Sequence, residues 1–131
     1  MKEILKKLLE NSLATEMNIR FASFITELSN NKDSTFLLLM ILISSWTEEG
    51  HICLNLNDLT DERIRSIFDT VGIAIPSLNK IKKLLFNSSC VGSPKKTAPL
   101  ILEQNRLYFQ RLYLSEKELI QNINIRMKMN L

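Results

Sequence analysis

The run Phe36-Leu37-Leu38-Leu39-Met40-Ile41-Leu42-Ile43 is apolar at every position, and no element with a solvent face can contain it. A helix that is apolar all round has to be covered on several sides. The run therefore predicts a central helix, from Ser34 to about Glu48, around which the remaining elements are arranged. At eight residues it falls well short of the roughly 20 that a membrane span needs, so it belongs to a protein core and implies no membrane partner. Asn30-Asn31-Lys32-Asp33 breaks the pattern ahead of it, and Asp33 or Ser34 is placed to cap it. Gly50 stops it, because glycine accepts the positive φ of a helix terminus.

The surrounding elements follow from periodicity. Lys2 to Asn11 places Ile4, Leu5, Leu8 and Leu9 on one helical stripe. A second helix, about Glu16 to Leu28, turns Phe21, Ile25 and Leu28 inward, with Ala22 beside them for close approach. His51 to Leu56 alternates, with Ile52, Leu54 and Leu56 on one face of a short strand. A fourth helix, roughly Asp61 to Val71, is capped by Thr60, closed by Gly72 and buries Ile64, Ile67, Phe68 and Val71. After Pro76, Ser77 caps a fifth helix with Leu78, Ile81, Leu84 and Leu85 inward. Gly92 to Lys96 reads as a surface loop. Pro99 to Glu103 and Arg106 to Gln110 flank a Gln104-Asn105 turn and form a hairpin. Ser115-Glu116-Lys117-Glu118 is a capping box that opens a last helix with Leu119, Ile120, Ile123 and Met127. The fold class expected is mainly α with a small antiparallel sheet (α+β), in one domain over residues 1–131. It is a helical bundle containing a winged-helix-like strand–helix–helix–hairpin unit. Such folds often bind DNA, but a fold does not settle a function.

The chain supplies little for catalysis. Gly50, Gly72 and Gly92 stand too far apart for GxGxxG or GxxxxGK[ST], so no backbone nest is available for a phosphate chain and no cofactor site is expected. His51, the single histidine, lies two residues from Cys53. On one strand the two would share a face, which allows a thiolate–imidazole pair, although packing and surface roles suit both residues better. As metal ligands, His51, Cys53 and Cys90 lack a recognisable spacing. Glu48 and Glu49 end a helix, while Asp61 and Glu62 sit in a first turn where negative charge complements the helix dipole. Two lone cysteines and an N-terminus without a secretory segment point to reduced thiols and a cytoplasmic location. The net charge is +3, with basic residues spread along the chain in pairs such as Lys6-Lys7, Lys82-Lys83 and Lys95-Lys96, as on solvated helix faces and a loop. Tyr108, Phe109 and Tyr113 interleave with Arg106 and Arg111. Strand alternation gives Leu107 and Phe109 to the core and leaves Tyr108, Gln110 and Arg106 facing a partner protein, nucleic acid or solvent. Arg106, Tyr108, Arg111 and Tyr113 are therefore the candidate partner-binding residues.

Three stretches, in order along the chain, carry a family resemblance. Glu49-Gly50-His51-Ile52-Cys53-Leu54-Asn55-Leu56, following an apolar helix, resembles the EGHVCLxL stretch of RecD, the alpha subunit of exodeoxyribonuclease V (the RecBCD helicase–nuclease). Ala98-Pro99-Leu100-Ile101-Leu102, with Arg106-Leu107-Tyr108 and Arg111, resembles the family's PLVL…RLYLxR. Asn18-Ile19-Arg20-Phe21-Ala22 is similar to LDVQFA. Gln110 stands where the family often has another basic residue. The resemblance implies a bacterial N-terminal domain, ahead of two motor domains, that contacts a RecC-like subunit in double-strand-break repair and recombination. It implies that DNA is met through the holoenzyme, and that ATP and magnesium serve the full-length parent while this fragment is not itself an enzyme. It also allows a homodimer of the isolated chain through the bared docking surface. Two other readings stand beside it: a winged-helix-like nucleic-acid-binding module, and a small enzyme using Cys53 and His51.

Overall fold

The computed structural model describes residues 2–59 and 61–111, together with positions 118 and 121. Helix α1 (Lys2–Glu10) is followed by α2 (Glu16–Leu28) and α3 (Ser34–Glu48). Every residue of α3 from Phe36 to Ser44 is buried, as its unbroken apolar run demands. Asp33 caps it, one carboxylate oxygen accepting the Thr35 N–H at 2.8 Å. At the other end the N–H of His51 donates to the Trp46 carbonyl and that of Gly50 to Thr47, both at 3.1 Å. This paired closure needs a left-handed residue between helix and strand, and Gly50, at φ 97°, supplies it.

Helix α2 runs along α3 but is turned away from the expected face. It buries Asn18, Ala22, Ile25 and Thr26, whereas Phe21 is half-buried and Leu28 exposed. Two apolar stripes overlap on this helix. The small Ala22 and the hydrogen-bonding Asn18 let the backbones of α2 and α3 approach closely, and that stripe faces inward in place of the bulkier one.

Strand β1 (Cys53–Asn55) is shorter than the alternation suggests, because Leu56 already begins a 3-10 turn, Leu56–Asp58. Leu54 and Leu56 are buried, but Ile52 lies outside the strand and is exposed. Helix α4 (Glu62–Thr70) is capped by Asp61, whose carboxylate accepts the Arg63 N–H at 2.9 Å. The cap expected at Thr60 therefore falls one residue later, and position 60 is outside the described residues. Helix α5 (Leu78–Phe86) has the expected Ser77 cap and buries Ile81 and Leu85.

The sheet runs in the order β1-β4-β3-β2, with β2 (Val91–Gly92), β3 (Leu100–Glu103) and β4 (Arg106–Phe109). β4 is antiparallel to both β1 and β3. The β3–β4 connection is a two-residue turn with Gln104 and Asn105 at φ 49° and 63°, the left-handed pair that matches strand twist in a tight hairpin. Gly92, expected from sequence to start a loop, instead pairs with Ile101 in a parallel strand, so the small sheet is mixed. A Cβ on Gly92 would meet the Lys96 carbonyl oxygen at 2.1 Å, which is why the Ser93–Lys96 turn can close there. β1, α4, α5 and the hairpin thus compose the expected strand–helix–helix–hairpin unit, with α3 packed against it. The last helix expected after Ser115 lies outside the described residues, apart from positions 118 and 121.

The main core joins α3 to Leu8, Ile25, Leu54, Ile64, Phe68, Ile81, Leu85, Leu100 and Leu107. On the opposite side of the sheet, Ile101 and Tyr108 form a second small cluster beside Cys53. Among the described residues no helix is long and apolar enough to cross a membrane.

Candidate functional site

The stretch from Glu49 to His51 stands at the end of α3, where it meets β1 and α4. Arg63, on the first turn of α4, reaches back and binds the Glu49 carboxylate with both terminal nitrogens, Nη1 to Oε2 at 2.6 Å and Nη2 to Oε1. Its guanidinium carbon also lies 4.8 Å above the Trp46 ring. His51 stacks on Trp46 at 5.8 Å between centroids, with planes 29° apart. The guanidinium and the imidazole thus both pack against the Trp46 ring, a favourable arrangement for a planar guanidinium. Sequence reasoning finds Gly50 and His51 but misses this assembly. Arg63 is 14 residues from Glu49, so no local spacing links them.

The Arg63 hydrogen bonds hold the Glu49 carboxyl below its ordinary value, against a weaker effect of desolvation. The same interaction with Glu49 raises Arg63. Both side chains are about half exposed, which limits the pair to about 0.2–1 kcal/mol. Because the folded-state value of Glu49 is lowered, the contribution is present above the unfolded carboxylate value and disappears as pH falls through the lowered one. Glu49→Gln is therefore expected to be less stable than the parent at neutral pH, with the gap closing in acid. Urea denaturation of both proteins at the two pH values measures this; an equal gap at both would contradict the assignment.

His51 and Cys53 border one open cleft of about 540 Å³ with Trp46, Asn55, Asp58, Asp61 and Arg63. The imidazole is stacked on Trp46, while Cys53 adjoins Tyr108 and Ile101 across the sheet. Cys90 is buried, its Sγ 4.0 Å from the Ile25 carbonyl. No group of three or more His, Cys, Asp or Glu among the described residues is arranged to hold a metal ion.

Three of the four residues singled out around the hairpin fall among the described residues, and they differ in exposure. Tyr108 is 5% exposed, since the sheet is buried on both faces at this point. Arg106 is exposed beside the turn, paired in register with Glu103 and Asn55. Arg111 is exposed just past β4. Tyr113 lies outside the described residues.

A different surface emerges on α2. Met17, Phe21, Phe24 and Leu28 recur at i, i+4, i+7 and i+11, one helical face, and Met17, Phe24 and Leu28 are each more than half exposed. Phe21 meets Phe109 edge-on at 4.9 Å and 71°. Phe109 in turn lines a cleft of about 330 Å³ with Thr47, Pro99, Gln110 and Arg111. The apolar stripe thus leads from α2 through two phenylalanines to a basic side chain at the end of the hairpin. Its spacing is legible in the sequence, where Phe21 and Leu28 nevertheless read as core.

The family model described as RecBCD enzyme subunit RecD, N-terminal domain, matches residues 10–108. Among curated proteins none matches the chain.

Proposed function

The chain belongs to the family of RecD N-terminal domains, and from that premise we propose that it is a non-catalytic docking module of a RecBCD-type helicase–nuclease. In this reading it holds a 5′-to-3′ helicase motor in an exodeoxyribonuclease V complex through contact with a RecC-like subunit. The setting would be double-strand-break repair and recombination in the bacterial cytoplasm. ATP and magnesium would serve the motor domains of a full-length parent. The residues present here do not fit a nucleotide, since Gly50 and Gly72 lie in two separate turns and Gly92 in strand β2, so they form no phosphate cradle.

The observation that carries the reading is the exposed apolar stripe Met17-Phe24-Leu28 with its continuation over Phe21 and Phe109. Apolar side chains grouped on one exposed face mark interaction surfaces more often than scattered ones do. Large aromatic side chains and arginine are also the residues that dominate interface energetics. Arg111, in the cleft at the end of this stripe, is proposed as part of its polar rim, and Arg106 as a more distant contact.

Co-expression with a RecC-like subunit tests the proposal. The chain is expected to co-purify with it, and Met17→Asp/Phe24→Asp/Leu28→Asp is expected to abolish co-purification while leaving the helical circular dichroism intact. Failure of the parent chain to co-purify, or full retention by the triple variant, would overturn the reading.

A further inference from the structure

Between Asp69 and Glu103 the chain has five lysines, Lys80, Lys82, Lys83, Lys95 and Lys96, and no acidic residue. This one segment holds more positive charge than the net +3 of the whole chain. Pairs that look dispersed in sequence are gathered by the fold. All five side chains are exposed, and none is in an ion pair among the described residues. On α5, Asn79, Lys82, Lys83 and Phe86 recur at i, i+3, i+4 and i+7 and form one outward face, opposite the buried Ile81 and Leu85. Phe86 ends that face and is 81% exposed. It borders a cleft of about 250 Å³ with Val91, Gly92, Ser93, Lys96 and Leu102, so Lys96 of the second lysine pair arrives at the same end of the helix.

We propose that the lysine face of α5, with Phe86 and the adjoining cleft, binds single-stranded nucleic acid. Lysine ammonium groups on an open face match successive phosphates. A bare phenylalanine ring beside an apolar recess matches an unpaired base, which offers a flat face that stacks without regard to sequence. A duplex keeps those base faces covered and would leave Phe86 unmatched. An acidic protein surface would answer the lysines, but regular alternation of a negative charge with a planar ring is a property of a nucleic-acid strand. This surface lies on a different element from the α2 stripe, so it stands apart from the docking proposal.

Fluorescence anisotropy of the 131-residue chain with a labelled thymidine oligomer, over a series of salt concentrations, is the test. Binding is expected to weaken steeply with salt. In Lys82→Gln/Lys83→Gln/Lys96→Gln the slope of log K against log salt should fall in magnitude by about 2, at roughly 0.7 for each single-strand phosphate that is no longer neutralised. Phe86→Ala should weaken binding about 5- to 150-fold at fixed salt, with Phe86→Trp restoring it. All these side chains are exposed, so the variants are expected to keep the parent circular dichroism and its co-purification with a RecC-like subunit. Four results would overturn the proposal: no binding at the lowest salt, indifference to Phe86→Ala, equal affinity for a duplex of the same length, or competition by polyglutamate as strong as by unlabelled oligomer. The last would reassign the face to an acidic protein.

Discussion

Phe68→Ala is expected to lower the unfolding free energy by about 3–5 kcal/mol. Phe68 is fully buried on α4, one turn beyond Ile64 and within the core cluster that surrounds α3. Truncation removes the ring from the core cluster that α4 shares with α3, and such a cavity is refilled only in part by the surrounding structure. A domain of this size has about 5–15 kcal/mol of stability in total, so the variant would sit near its folding threshold. Urea denaturation should show a lower midpoint with an unchanged slope. The contrasting variant Phe86→Ala removes the same ring from an 81% exposed position and should change stability by less than about 0.5 kcal/mol. If the two variants were destabilised by similar amounts, the placement of Phe68 in the core would be wrong.

Asn18→Ala should cost about 2–4 kcal/mol, because one side chain both caps a helix and answers a buried hydroxyl. The Asn18 Oδ1 accepts the Thr15 N–H at 3.0 Å, and the Thr15 Oγ1 accepts the Asn18 N–H at 3.2 Å. These reciprocal bonds close the first turn of α2. The Asn18 amide also donates to Ser44 Oγ at 2.9 Å, across the buried α2–α3 interface. With Asn18 only 1% exposed, water cannot replace what the truncation removes, and the Ser44 hydroxyl is left without this donor. A double-mutant cycle with Ser44→Ala separates the two roles. The coupling should be about 0.5–3 kcal/mol, and what remains of the Asn18→Ala cost belongs to the cap. Zero coupling would show that the side chain acts only on α2.

Asn18 also illustrates what a sequence can disclose. It lies in one of the three stretches that resemble RecD, yet apolar periodicity gives a polar residue no weight. Periodicity therefore assigns the inward face of α2 to the bulky residues and misses the closer packing made by Asn18 and Ala22. α3 is legible because no other arrangement tolerates its apolar run. The hairpin turn is legible because Asn105 suits a left-handed backbone. Strand alternation misplaces Tyr108 because it supposes that a small sheet has one dry face; Ile101 and Tyr108 are buried on the other. The Glu49–Arg63 pair and the packing against Trp46 depend on where α4 lands after the 3-10 turn, which neither residue's neighbours determine. The lysine pairs are plain in the sequence, but the arrival of Lys96 beside Phe86 depends on the loop returning to the end of α5.

The outermost strand pairing bears on how the chain acquires its fold. β1 pairs with β4, Cys53 opposite Tyr108 and Asn55 opposite Arg106, so its partner is synthesised only after two α-helices and two further strands. Local pieces such as α2–α3 and the β3–β4 hairpin can form early, whereas β1 must wait for a distant segment at the entropic cost of closing a long loop. While a ribosome is still making α4 and α5, β1 can lie on α3 but its edge has no strand partner, and an unpaired edge is open to misassociation. Completion of the hairpin, rather than formation of the apolar helix, is then the event that lets the sheet close on β1.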